Sequence, residues 1–364
     1  MKIIHIAPLT LDKSAGLTYS IPSFVKAQNN LTGIESKILI SINAKTRDHN
    51  YIYLDEFDTK KELTTFLSTF DIAIFHSTYI PSHIKLARLL RGLNIPYVIV
   101  PRGGFTKKAK NVKRVKKVIG DILLFNRFFN SPYSIHYLTH NEKENSVYST
   151  KNDFVLPNGI DIPNDNEKKK KIVHNSSLLV TYIGRLDIYI KGLDVLLESI
   201  GLIRKKLLNM GIIIQLYGPI DEDSALKLNE LINKYKIDDV VEINPPLYDN
   251  DKVEKLKETD VFIQTSRSEG LPMGVLEALS FGVPCILTPG TNMSAEVNKY
   301  NAGIEVELNP TSISNGLISM LDNHSLLSEM RNNARILAKQ YSWIKIAKES
   351  INIYQEIIKG AVIK

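Results

Sequence analysis

The chain has 364 residues, 43% hydrophobic and 23% charged, with a formal net charge of +7 and one cysteine. That length exceeds what a single core organises and points to two domains, and the composition excludes a disordered or fibrous chain. One thiol excludes a disulfide framework within the chain, no apolar run is long enough to span a bilayer, and the positive charge leaves phosphorylated small molecules, anionic lipid and nucleic acid as candidate partners.

Residues 2–7 read as a buried first strand, which Pro8 breaks too soon for a secretion signal. With the lone thiol, the expected location is cytoplasmic. Further strands are expected at 36–42, 72–76, 97–101 and 134–138, with helical patterns at 19–29, 61–69 and 82–93 between them. Such alternation is the grammar of βαβ units on a parallel sheet.

A basic segment, Lys107 to Lys117, precedes the apolar and aromatic run 118–129. It reads either as a surface for anionic lipid, peripheral to the inner face of a plasma membrane, or as a solvated helix face before a core helix. A short strand at 153–156 then runs into the turn signal Pro157-Asn158-Gly159-Ile160-Asp161. The lysine run 168–171 reads as a solvated loop.

The polar stretch 163–175 marks a boundary, and the pattern restarts at 178–184. Strands are expected at 212–217, 240–243, 261–264 and 284–287. Cys285 lies in the last of these and reads as a core residue. The domains are therefore expected at 1–165 and 166–342, with the terminal segment 343–364, helical from 343 to 359, placed to pack back on the first. The fold class is α/β: two Rossmann-like parallel-sheet domains facing across a cleft. Open sheets bind ligands outside the carboxyl ends of their strands, and clefts between domains are favoured sites.

Two stretches carry chemistry. Gly184-Arg185-Leu186 follows the first strand of the second domain, and Lys191-Gly192-Leu193-Asp194 opens the next helix. Arg185 offers a planar fork for phosphate and Lys191 a compact charge. Ser268-Glu269-Gly270-Leu271-Pro272-Met273-Gly274-Val275-Leu276-Glu277 follows the strand 260–264. There Glu269 sits in the turn, Glu277 is expected about two turns into a helix, and Pro272 is expected in that helix's first turn. A strand end, a glycine turn and a helix N-terminus make an anion site, and two carboxylates accept hydroxyls. A ligand both phosphorylated and polyhydroxylated, a nucleotide-sugar, suits the combination. Loss of a nucleoside diphosphate builds negative charge that preset cations and amides stabilise.

These motifs, with Gly282-Val283-Pro284, resemble the signature of the group 1 glycosyltransferases, which are retaining enzymes of glycosyltransferase family four with the GT-B fold. The specific motifs cover roughly 180–290. Ala15-Gly16-Leu17-Thr18-Tyr19-Ser20 resembles the family's glycine loop after the first strand, and residues 157–161 its turn between domains.

The resemblance implies that Arg185 and Lys191 hold the donor diphosphate, Glu269 the sugar hydroxyls and Glu277 the ribose. Backbone near Gly270, Leu271, Pro272 and Met273 lines the sugar and phosphates, Gly16 admits the diphosphate, and Leu247 contacts the base. Family members often carry a histidine where Arg102 stands. Arg102 cannot act as a base, but it can bind a donor oxygen, and a front-face transfer needs no protein base. His76 is a second candidate there, with a structural role as its alternative. The implied activity is transfer from a nucleotide-sugar, UDP-linked by expectation, to a glycan or lipid-linked acceptor. The implied setting is bacterial capsule, O-antigen or lipopolysaccharide assembly, with no cofactor and no metal.

Other readings are weaker. Asp221-Glu222-Asp223 would suit a metal but stands at a helix start, where acids stabilise the helix dipole. A GT-B nucleotide-sugar epimerase would lack this Arg-Lys and Glu-Glu set. No G-x-G-x-x-G turn supports a dehydrogenase. No nucleic-acid motif accompanies the basic charge, so nucleic acid is not an expected partner.

Overall fold

The computed structural model describes residues 1–10, 16–43, 46–107, 124–164 and 178–362. The lysines at 108–117 and 168–171, and most of the boundary stretch 163–175, lie outside the described residues. The chain divides into two compact units. One is Met1–Gly159 with Trp343–Lys364, and the other is Ile160–Ser342.

In the first unit a seven-stranded sheet runs β3-β2-β1-β4-β5-β6-β7. In chain order its strands are β1 (Lys2–Ala7), β2 (Glu35–Ile40), β3 (Ile52–Tyr53), β4 (Ile72–His76), β5 (Tyr97–Val100), β6 (Ser134–Tyr137) and β7 (Phe154–Val155). All pairings are parallel. Strands covered on both faces read as continuous apolar runs, and β4 and β5 are buried throughout. Helices α1 (Gly16–Asn29), α2 (Lys60–Leu67), α3 (Pro81–Gly92), α4 (Asn126–Asn130) and α5 (His140–Glu144) follow strands.

The terminal helix α13 (Trp343–Val362) completes this unit. Trp343, Ile346, Ala347, Ile351, Tyr354 and Ile357 are buried at helical spacing along one stripe. Trp343, Ile346 and Ala347 pack on α1, where the Phe24 and Trp343 rings stack at 5.9 Å, while Ile351, Tyr354 and Ile357 pack on β1, β4 and β5.

The second unit holds a six-stranded parallel sheet in the order β10-β9-β8-β11-β12-β13. Its strands are β8 (Leu179–Ile183), β9 (Ile213–Tyr217), β10 (Val241–Asn244), β11 (Val261–Gln264), β12 (Cys285–Leu287) and β13 (Gly303–Glu305). Helices α6 (Leu193–Met210), α7 (Glu222–Tyr235), α8 (Asp249–Glu258), α9 (Met273–Ser280), α10 (Ser294–Lys299), α11 (Pro310–Leu321) and α12 (His324–Gln340) connect and cover them.

The chain leaves β8 toward β9 on one side and returns to β11 on the other. The order therefore reverses between β8 and β11, the switch point where such sheets bind ligands. Strands β3 and β13, with two and three residues, are absent from the sequence reading because they are too short to show a period.

Candidate active site

The switch point is built by three loops bonded to one another. After β8 the chain passes Arg185 and Lys191 before α6 begins at Leu193. Gly192 has φ +65, and a Cβ there would lie 2.1 Å from the Thr265 carbonyl oxygen. Only glycine allows that approach. Thr265 Oγ1 donates toward the carbonyls of Lys191 and Gly192, at 3.2 Å each. The Arg267 amide donates to Ile190 at 2.8 Å. The Arg267 guanidinium grips both oxygens of Asp194 at 2.7 and 2.8 Å and the Tyr189 carbonyl at 2.8 Å. From the β12 side, the Glu269 amide donates to Gly290 at 2.8 Å. Thr288 Oγ1 donates to Ser266 at 2.8 Å, and Asn292 Nδ2 to the Glu269 carbonyl at 2.5 Å.

Within this frame Lys191 Nζ donates to Glu269 Oε1 at 2.5 Å. The same oxygen accepts from Ser266 Oγ at 2.6 Å and Gln264 Nε2 at 2.7 Å. The two charged side chains are 18% and 12% exposed, so the pair is weakly screened. Glu269 Oε2 has no hydrogen-bond partner among the described residues.

Tyr182, buried on β8, donates its hydroxyl to the Arg185 carbonyl at 2.8 Å. Burial first, then the Glu269 and Asp187 charges, push that hydroxyl's pKa well up, while Arg185 pulls it down. The side chain of Arg185 is exposed and unpaired among the described residues.

The helix α9 begins later than the sequence reading has it. Pro272 precedes it with extended backbone, φ −80 and ψ 93, so the helix opens at Met273 and Glu277 falls in its second turn. The φ of Pro272 would suit a first helical residue, but its ψ of 93 is extended, so it stands as the cap one position before the helix. The amides of Val275 and Leu276 return to the Pro272 carbonyl at 3.1 and 3.3 Å. Those of Leu271 and Gly274 have no acceptor among the described residues. Gly274 abuts the sheet, since a Cβ would lie 2.9 Å from the Ile183 carbonyl oxygen. Gly270 is exposed, and Leu271 and Met273 are half-buried.

Glu277 forms an ion pair through Oε2 with Lys252 of α8, at an angle that makes no hydrogen bond. Leu247 is half-buried against the core cluster that contains Val275 and Leu276. Asp221 caps α7, accepting from the Ser224 amide and hydroxyl at 2.9 Å each. Among the described residues no three His, Cys, Asp or Glu side chains are grouped to hold a metal.

In the first unit Gly16 is the opening residue of α1. Arg102 follows β5 with φ +50. The Glu142 carboxylate accepts from the amides of Gly103 and Leu138 and so holds the loop, the second contact at 2.8 Å. The guanidinium donates to Ser20 Oγ at 3.2 Å and toward His76 Nδ1 at 3.5 Å, while Nε is buried without a partner among the described residues. Burial draws the Arg102 pKa down to about 10, which leaves it cationic at neutral pH.

The structure thus joins Lys191 to Glu269 and Glu277 to Lys252, leaves Arg185 open, and ties Arg102 to His76. Gln264, Ser266, Asn292, Lys252 and Tyr182 escape the sequence reading. The signal available was a polar residue closing an apolar strand, as Gln264 does in Val261-Phe262-Ile263-Gln264.

Residues 164–337 match the family model described as glycosyl transferases group 1. Over 216 residues the chain is 23% identical to a D-inositol 3-phosphate glycosyltransferase of Paenarthrobacter aurescens (strain TC1), covering 57% of this chain and 53% of that protein. Over 215 residues it is 26% identical to the UDP-Gal:alpha-D-GlcNAc-diphosphoundecaprenol alpha-1,3-galactosyltransferase of Escherichia coli, covering 56% and 54%. The chain spans about half the length of the curated relatives it matches. The fold matches Anabaena Alr3699/HepE, solved in complex with UDP, with TM-score 0.72 and 12% identity over 98% of this chain and 100% of that one. The family match thus lies within the second unit, where residues 164–337 are similar to the group 1 glycosyltransferases, and the two parallel α/β sheets have the GT-B fold.

Proposed function

We propose that the protein is a retaining glycosyltransferase that moves a sugar from a nucleotide-sugar, with UDP as the favoured carrier, to a glycan or lipid-linked acceptor. The observation that carries this reading is the Lys191–Glu269 pair at the carboxyl ends of β8 and β11, beside the amides of Leu271 and Gly274, which have no acceptor among the described residues. Lys191, Arg185 and those amides meet the diphosphate. Glu269 Oε2 accepts a sugar hydroxyl, Glu277 the ribose hydroxyls, and Leu247 lies along the base.

The bond from the sugar's anomeric carbon to the diphosphate breaks, and a bond from that carbon to the acceptor oxygen forms on the same face. The acceptor's proton passes to the departing phosphate oxygen. Arg102 holds a donor oxygen and takes no proton. The two cations carry the leaving-group charge without a metal ion.

The undecaprenol-linked acceptor in the name of the Escherichia coli relative supports a lipid-linked acceptor and a role in surface polysaccharide such as capsule or O-antigen. No described helix is long and apolar enough to cross a membrane; the basic charge from Lys107 to Lys117 supports a peripheral contact with anionic lipid at the cytoplasmic face.

A thermal-shift panel of nucleotide-sugars tests the reading, because a ligand that binds only the native state raises its apparent stability. One nucleotide-sugar should raise the melting temperature in a concentration-dependent way, more than its nucleoside monophosphate does. No response from any member at millimolar concentration would defeat it.

A further inference from the structure

The first unit contains a buried polar chain that the proposed reaction has not yet used. His5 lies on β1 and His76 ends the neighbouring β4; their rings stack 5.2 Å apart, 17° from parallel. Both are almost fully buried, in strands whose other buried residues are apolar. Five side chains are linked: Ser350 of α13 to Gln28 at 3.0 Å, Gln28 to His5 at 2.9 Å, His5 to His76 at 2.9 Å, and His76 to Arg102 at 3.5 Å.

The direction of each bond is forced, starting from α13. The Ser350 hydroxyl gives its one proton to the Ala347 carbonyl at 2.7 Å. It must therefore accept from Gln28 Nε2, which turns Gln28 Oε1 toward His5 Nε2. Oε1 only accepts, so His5 carries its proton on Nε2. Its bare Nδ1 must then accept from His76 Nε2. His76 is left with a lone pair on Nδ1, and that lone pair faces Arg102 Nη2, a group that only donates. Ser36 Oγ, donating to Gln28 Oε1 at 2.8 Å, agrees with this sense. Burial draws the His5 pKa down to about 4 and that of His76 well below its ordinary value, with Arg102 adding to both shifts, so neither ring is cationic at neutral pH.

We propose that His76 is a positioning residue for the transfer reaction. Its Nδ1 lone pair sets the Arg102 guanidinium at the carboxyl end of β5, and its tautomer is dictated from Ser350 through Gln28 and His5. The inference rests on the reading of Arg102 as a donor-binding cation. It adds that the terminal helix belongs to the apparatus that orients this residue.

Two measurements on the full-length protein test it. Nitrogen-15 chemical shifts of the histidine side chains at pH 7 should show His5 and His76 neutral with the proton on Nε2. A His76 ring protonated on Nδ1, or doubly protonated, would overturn the chain. Kinetically, His76→Phe should lower kcat/KM about tenfold, and His76→Asn, which returns an acceptor near the Nδ1 position, should recover part of the loss. In an Arg102→Met background His76→Phe should cost almost nothing more, because residues acting as a unit are not additive. A full tenfold loss in that background would overturn the positioning role. Unchanged turnover in Arg102→Met alone would overturn it through its premise, and the nitrogen shifts separate that failure from a wrong hydrogen-bond chain.

Discussion

Lys191 and Glu269 stand 78 positions apart in the chain, and their side chains meet at 2.5 Å. The contact exists because Gly192 lets the Lys191 loop lie against Thr265, while Arg267 binds the same loop from the other strand. A cation suited to a diphosphate and a carboxylate suited to a hydroxyl are thereby held together.

Replacing Lys191 by alanine should cut turnover by about 10²-fold, the usual cost of losing a preset charge-stabilising group. Glu269 keeps Gln264 and Ser266 as donors, so the melting temperature should move by only a few degrees. Lys191→Arg should recover little, since a planar fork cannot replace a compact ammonium in that gap. Steady-state kinetics beside a melting curve checks this; unaltered kcat would remove Lys191 from the chemistry.

Glu277 is assigned to the ribose, and its partner Lys252 is 26% exposed. Partly exposed ion pairs contribute about 0–1 kcal/mol, so Glu277→Ala should leave the fold intact. It should raise the dissociation constant of the nucleotide about tenfold, the scale of one lost charged hydrogen bond. A collapse of the melting curve would instead make Glu277 structural.

Gly192 and Gly270 form a matched test of backbone strain. A Cβ at Gly192 meets the Thr265 carbonyl and needs φ +65, whereas at Gly270 it meets nothing within 4 Å. Gly192→Ala should cost about 1–3 kcal/mol in urea unfolding, and Gly270→Ala close to none. Equal effects would refute the close approach of the two loops.

Acid should destabilise the protein through its buried histidines. Burial holds His5 and His136 down to about 4 and His83 to about 3, from an ordinary 6.5. Above pH 6.5 neither folded nor unfolded chain takes these protons. Below it the unfolded chain takes them first, so stability falls as pH drops from about 6.5 toward 4, at up to about 1.4 kcal/mol per group per pH unit. Glu142, pushed up by burial, works in the opposite sense at the acid end. Melting curves at pH 7.5, 6 and 5 read the slope; equal melting temperatures would show that these rings are hydrated or paired.

Much of the fold was legible because β1, β4, β8 and β11 are continuous apolar runs set between helical periods. Arg185, Lys191, Glu269 and Glu277 were legible because each sits at a strand end or helix start within a local motif. The donors that set Glu269 were not: Gln264 and Ser266 stand five and three residues before it without forming a recognisable motif, and Asn292 reaches its carbonyl from a separate segment. His5 and His76 show in sequence only as polar residues in apolar strands. Nothing local indicates that β1 and β4 are neighbours, or that Gln28 and Ser350, 322 positions apart, close the chain.

Calorimetric titration of UDP into the wild-type protein and into Arg185→Ala, Lys191→Ala, Glu269→Ala and Glu277→Ala tests most directly whether these side chains surround one nucleotide. Micromolar binding by the wild type, with the two cation variants and Glu277→Ala each weakened about tenfold or more and Glu269→Ala nearly unchanged for want of a sugar, is the predicted pattern. Wild-type affinity in all four variants, or none for any nucleoside diphosphate in the wild type, would contradict it.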